Sequence, residues 1–354
     1  LNNENHSSYE QQMGMRGKKF WQDEELKKFP HNPTAADIAI RDLEMIENPA
    51  LTAKIQQKFN ELNKGDYSRS KHKNRIANIS AFEVLNFNSN YRVLELGNPL
   101  NTARTSYLHK SIGGYSAVKV KRTQEMIDRY FQSNYSILTS ALNSGNISNM
   151  QNMHFFNMLH TKYIILDLNA SGVVGKPSQK AEEKPGVLPN PFALGNAWTV
   201  NNVKWVNNAD EEIATFEEPD FNPKNTAVID VRYKDLVDES LNLSKGNLNL
   251  LEYRPNYLKY ASNSTGDALT VFSEIFYDKG WKAFINGKEV PHFRVNYILR
   301  GLVIPSGENE IEFKFDLPIY NQASLISTIS SSIIILLLLL FILFNILDKE
   351  FPVI

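Results

Sequence analysis

The chain contains no cysteine. That excludes disulfides, thiolate metal sites and cysteine nucleophiles, and it leaves the compartment open, since envelope proteins also fold without disulfides. There is no surplus of positive charge either: 38 Lys and Arg stand against 39 Asp and Glu, a formal net charge of −1. A general nucleic-acid binder needs a basic excess to meet phosphates, so nucleic acid is not an expected partner. No HExxH helix and no GxSxG elbow occurs, and GKPS near 175 lacks the glycines of a phosphate loop. His154 and His160, six residues apart on an expected helix, would lie on different faces. The carboxylates are scattered, without a pair suited to acid–base work. A conventional soluble hydrolase is therefore not supported, and no catalytic residue, metal or cofactor is expected within the chain. Finally, no charged-then-apolar export segment follows Leu1. If the main body lies outside the cytoplasm, something upstream must export it. The expectation is the C-terminal piece of a longer protein, the alternative a processed terminus or a cloning boundary.

What is present is first a membrane segment. No charged residue falls between Asp316 and Asp348, and Ile333 to Phe344 is unbroken Ile, Leu and Phe. With the flanking residues this makes a transmembrane helix over 320–347, since a bilayer needs roughly 20 apolar residues. A buried core helix is the alternative, but the run has no polar face for water. Ser330 to Ser332 are tolerable there because hydroxyls bond back to helix carbonyls. The tail carries only Lys349 as a basic residue, so charge does not orient the span.

The 354 residues suggest two or three domains. Apolar residues at helical spacing (Ile38, Leu43, Ile46, then Leu51, Ile55, Phe59, Leu62) predict helices near 34–47 and 50–63, broken at Pro49. A basic polar loop, KGDYSRSKHKNR, and a short helix, ISAFEVLNF, follow. YRVLEL reads as a strand, VKRTQEMIDRYF and SNMQNMHFFNMLH as helices, and KYIILDL as a buried strand. Strand, helices, strand make an α/β unit over 91–168. Residues 169–191 are rich in Gly, Pro, Ser and Lys and read as a linker or loop. From 192 to 318 the chain is mostly short strands, with a helix at ADEEIATF. Asn286-Gly287 between WKAFI and KEVPHF signals a two-residue hairpin. In NEIEFKF, Ile311, Phe313 and Phe315 face one way and Glu310, Glu312 and Lys314 the other. The expected class is α+β: an N-terminal mixed α/β region, a C-terminal antiparallel β-sandwich and one C-terminal transmembrane helix. Residues 1–90 would be a mostly helical or irregular lead-in.

Two places carry candidate ligand contacts. RTSYLHKSIGGYSAVKVKR gathers Arg104, Tyr107, His109, Lys110, a Gly113-Gly114 pair and Tyr115. Paired glycines let backbone amides approach a ligand, the nearby cations suit a phosphate or pyrophosphate, and Tyr115 suits a sugar face. The competing reading is a tight turn beside a basic solvated strand, because the spacing is that of no known phosphate loop. Trp281, after a DKG turn, either faces a sugar ring or plugs one end of the sandwich.

FYDKGWKAFINGKEVPHFRVNYILRGLVIPSGENEIEFKF resembles the C-terminal signature of the bacterial YfhO-like membrane proteins, in the form common in Bacteroidetes. NPLNTARTSYLHKSIGGYSAVKVKR, NMLHTKYIIL, NPFALGNAWTV and TAVIDV fit the same pattern in the same order, together covering most of residues 90 to 347. One departure is His160, where the pattern more usually has asparagine. The resemblance implies a polytopic membrane protein: many helices first, then a large extracytoplasmic portion held by a final helix in the bacterial cell membrane. It implies similarity to the GT-C glycosyltransferases, which use polyprenyl-phosphate sugars and an acidic residue in an early exposed loop. That loop has no counterpart here, so this portion would serve as an acceptor or donor platform for an envelope polymer. The alternative is a non-catalytic, membrane-anchored envelope-binding or scaffold module.

Overall fold

The computed structural model describes residues 32–63, 70–97, 99–114, 119–166, 186–237 and 244–350. Residues 1–31 of the expected lead-in, 64–69 of the basic loop, Tyr115, most of the expected linker and the last four residues lie outside the described residues.

Helix α1 (Ala35–Glu47) opens on a reciprocal cap, in which Asp37 N donates to Thr34 Oγ1 while Asp37 Oδ2 accepts from Thr34 N. Pro49 separates it from α2 (Ala50–Leu62), as the spacing predicts. Helix α3 (Ser70–Asn88) corrects the basic-loop reading, because it begins inside the KGDYSRSKHKNR stretch. Lys and Arg are good helix formers, and the stretch leads directly into Ile76, Ile79, Phe82 and Leu85, which are buried against Leu51 of α2.

Strand β1 (Arg92–Glu95) runs parallel to β2 (Lys110–Ser111) and to β3 (Thr161–Ile165), and β4 (Val187–Pro189) adds antiparallel to β3. The crossover from β2 to β3 is more helical than its sequence suggests. Helix α4 (Lys121–Met126) passes through one π turn (Ile127–Phe131) into α5 (Gln132–Ser144), which ends on left-handed Gly145. The helix read from 148 is instead a 3₁₀ turn (Ile147–Asn152) followed by the short α6 (His154–Met158). His160 then takes φ 52, the left-handed region in which asparagine is favoured among non-glycine residues.

The remaining strands are β5 (Ala197–Val200), β6 (Asn202–Val206), β7 (Thr226–Asp230), β8 (Gly246–Arg254), β9 (Tyr257–Ser264), β10 (Ala268–Ile275), β11 (Trp281–Ile285), β12 (Lys288–Val290), β13 (Phe293–Val295), β14 (Leu299–Ile304) and β15 (Gly307–Phe315). They form two antiparallel sheets, ordered β13-β14-β10-β5 and β12-β11-β15-β9-β8, and a parallel pair β6-β7 joined through α7 (Ala209–Ala214). Residues alternate across a strand, and the packing follows from that. Phe272 of β10 points into the space between the sheets, with ring centroids 5.1 Å from Tyr260 and 4.9 Å from Phe313. Leu269 and Val271 point to the opposite face and join Phe293, Leu299 and Trp198 in a core that also takes in Phe156 and Ile164 of the α/β unit. One sheet is thus buried on both faces. Asn286 and Gly287 carry φ 51 and 79, the geometry of a two-residue hairpin turn.

Helix α8 (Pro318–Glu350) follows β15 after only Asp316 and Leu317. Its apolar window, Gln322–Leu343, is 22 residues long with its side chains exposed. Thr328, Ser330 and Ser332 return their hydroxyls to carbonyls four residues back, so these three polar groups are satisfied within the helix.

Candidate functional site

The polar residues singled out around the glycine pair separate into two networks. In the first, Asp37 from the start of α1 accepts from Arg104 Nη1 at 2.8 Å, while Arg104 Nε donates to Glu95 at 3.0 Å. The buried His109 ring lies between Tyr91, whose hydroxyl is 2.9 Å from Nδ1, and Asp37, 3.2 Å from Nε2. The Asp37 contact is close but poorly aligned for a hydrogen bond. Burial alone would raise the Asp37 carboxyl, but contacts from His109, Arg104 and Thr34 outweigh it and hold the group well below the usual carboxylate range.

In the second network, Lys110 Nζ donates to the carbonyls of Asn86 and Ser89 and lies 3.9 Å from the centre of the Tyr253 ring. Burial pushes this amine down to about 7; Glu274 opposes the shift and Arg92 adds to it. Asn90 Nδ2 donates to Glu274 at 2.7 Å, and Arg92 Nη2 stands 3.5 Å from the same carboxylate. Arg300 lies 4.0 Å over the half-buried Trp281 ring, whose other neighbour is Phe315 at 5.3 Å. The structure therefore places Lys110 and Trp281 on one polar seam between the α/β unit and the sandwich, with Arg104 and His109 at a separate node.

The glycine pair closes on the backbone of Pro99. Gly114 N donates to Pro99 O at 2.7 Å, and a Cβ on Gly113 would sit 1.8 Å from that oxygen. Tyr107, on a 3₁₀ turn, is 40% exposed.

A concave surface lies elsewhere, and no stretch singled out in the sequence as a ligand contact reaches it. A cleft of about 550 Å³ opens between the 3₁₀ turn before α6, the turn joining β4 to β5, and the loop leading into β7. Its walls carry Gln151, Asn222 and Asn225 as amides, His154 as an imidazole, and Phe192 and Trp198 as rings, and Lys224 and Lys245 also line it. The volume falls in the roughly 300–1,000 Å³ range of small-ligand sites. Trp198 is fixed by its indole, which donates to Pro223 O at 2.8 Å. Asn157, at the base, donates to the carbonyls of Met150 and Gln151 and accepts from Asn190. Burial lowers His154, so its ring is neutral at pH 7 and offers one donor and one acceptor. Among the described residues no carboxylate lines the cleft and neither lysine makes an ion pair. Amides, a neutral imidazole and an aromatic face suit hydroxyl-rich rings, and the two free ammonium groups suit a negative charge on them. These residues lie in five separate segments of the chain, and no local spacing ties them together.

Residues 196–327 match the family model described as bacterial membrane protein YfhO. The matched segment runs from just before β5 into α8, and it supplies Trp198, Asn222, Lys224, Asn225 and Lys245 to the cleft. No curated protein and no solved structure matches the chain.

Proposed function

We propose, from the match of residues 196–327 to the YfhO family of bacterial membrane proteins, that the chain is the extracytoplasmic platform of an envelope glycosyltransferase. In this reading the complete protein is of GT-C type and takes its sugar from a polyprenyl phosphate. The acidic catalytic group lies outside this chain, and the platform holds the polymer that is modified. The observation that carries the reading is the cleft: amides, aromatic rings and two lysines that, among the described residues, meet no carboxylate, on a body joined to a membrane span by two residues. Such a body keeps its ligand near the headgroups, where a lipid-linked sugar resides.

The lining also supports a second reading. A lining of amides, rings and ammonium groups, with His154 but no carboxylate to orient it among the described residues, favours holding a ligand over transforming it, which suits a non-catalytic anchored envelope-binding module. Titration of the chain in lipid nanodiscs tests what the two readings share. Hexagalacturonate, an anionic oligosaccharide, is expected to bind more tightly than neutral maltohexaose. Lys224→Gln and Lys245→Gln are each expected to weaken hexagalacturonate by about two- to five-fold, as partly screened charges do, and to leave maltohexaose unchanged. Equal affinity of the parent for both sugars, or no response to either substitution, would refute the assignment of the cleft. Envelope glycan labelling in cells carrying the same substitutions in the complete protein then separates the readings. Labelling falls if the protein is a transferase and is unaffected if it is a binding module.

A further inference from the structure

We infer that the end of the sandwich nearest α8 forms a foot that rests in the lipid headgroup layer, with Tyr277 as its interfacial anchor. The inference does not depend on glycosyl transfer or on which side of the membrane the body occupies.

The argument is one of distance along the chain. Helix α8 begins at Pro318 and its apolar window at Gln322. Four helical residues rise only about 6 Å. The polar layer on each side of a roughly 30 Å hydrocarbon core is about 5–8 Å deep. Leu317 and Asp316 add at most about 3.5 Å each, so the link stands roughly 6–13 Å from the hydrocarbon, at the outer part of the headgroup layer, whenever α8 is inserted.

Two neighbouring segments are fixed to that link. Asp316 N donates to Gly280 O at 2.8 Å, and Phe315 N donates to Asn256 O at 2.9 Å. Gly280 packs so closely that a Cβ there would lie 2.9 Å from both the Leu317 and Phe315 side chains. The 277–280 loop and the β8–β9 turn are thus held at the same level as the link. Their outward residues match that environment. Tyr277 is 40% exposed, Asp278 and Lys279 after it are exposed as well, and Arg254 at the end of β8 is exposed and paired with Glu252 at 2.6 Å. A tyrosine in water gains nothing from exposing its ring, whereas at a bilayer interface the ring is shielded and the hydroxyl stays hydrated. Lys279 can meet a lipid phosphate. With the foot seated, the body is held at three points and does not swing on a two-residue link.

The absence of cysteine makes the test free of background labelling. Nitroxide labels are placed by Tyr277→Cys, by Lys279→Cys and, as control, by Lys288→Cys. Lys288 pairs with Ile285 at the far end of β11, four residues or about 14 Å along the strand from Trp281. The chain is loaded at one copy per nanodisc of mixed phosphatidylcholine and phosphatidylglycerol. Collision with a water-soluble nickel chelate is measured in the discs and in detergent. The expected result is loss of nickel relaxation at 277 and 279 in the discs, with none at 288. Labels at 277 and 279 as open to nickel as the one at 288 would overturn the inference. So would protection that arises only with two copies per disc, which would make the foot a contact between chains. Lys279→Cys leaves Tyr277 in place, so it reads the position of the foot even if Tyr277→Cys disturbs the loop.

Discussion

Replacing Asp37 should unfasten the N-terminal helices from the α/β sheet. Its carboxylate, fully buried, accepts from Thr34 N and Thr34 Oγ1 at 2.7 Å each and from Arg104 Nη1 at 2.8 Å, with His109 at 3.2 Å. Asp37→Ala removes a helix cap, worth about 1 kcal/mol. It also leaves His109 and one arm of Arg104 without their anion; breaking a buried ionic cluster costs roughly 3–5 kcal/mol. The lower end applies, because Arg104 keeps Glu95 and is partly hydrated. A total of about 3–5 kcal/mol follows, and with it a fall in melting temperature on the order of 6–15 °C. The assay is thermal unfolding in detergent followed by circular dichroism. Asp37→Asn retains an acceptor for Thr34 and should lie between the parent and Asp37→Ala. The sign of the pH dependence follows from the depressed carboxyl. Its contribution is fully present above the unfolded value near 4 and is lost as pH falls toward the low folded value. The parent should therefore lose stability more steeply than Asp37→Asn below about pH 5. A melting temperature for Asp37→Ala within about 2 °C of the parent would refute the reasoning.

Two further outcomes are expected. Lys110, pushed down to about 7 in the folded chain against about 10.5 unfolded, binds fewer protons when folded between those values, so its contribution to stability rises with pH across that window. Lys110→Met should flatten the rise, measured as denaturation midpoints at pH 7 and pH 9.5; an unchanged slope would count against the buried amine. Gly280 has φ 99, and a methyl group there would meet Leu317 and Phe315. Gly280→Ala should cost about 2–4 kcal/mol in the same melt, from backbone strain and overpacking together, and a cost below 1 kcal/mol would show that the loop is not clamped.

Much of this molecule is legible where chemistry is local. The bilayer span needs only an uninterrupted apolar run, and α8 carries it. Asn286-Gly287 forms its turn because both residues tolerate positive φ, and β15 buries Ile311 and Phe313 because a strand alternates its faces. The two N-terminal helices break at Pro49 because proline cannot continue the first. What escaped the sequence is what depends on partners far along the chain. The helical start of α3 is stabilised by packing on α2, which a basic composition conceals. The polar cluster around residue 110 reads as one site, yet Asp37 draws Arg104 and His109 to one node while the carbonyls of Asn86 and Ser89 hold Lys110 beside Tyr253. Desolvation makes such pairing obligatory for buried ionic groups, but no spacing announces which carboxylate will supply it.

The sequence by itself determined that the protein is tied to a membrane, that its body ends in an antiparallel sandwich against that membrane, and which family it resembles. Each of these rests on hydropathy, turn chemistry or a motif contained within a few dozen residues. Only the tertiary structure decided which polar residues are spent on one another and which remain for a ligand. Among the described residues Lys224 and Lys245 make no ion pair in the cleft, which joins segments as distant as Gln151 and Lys245.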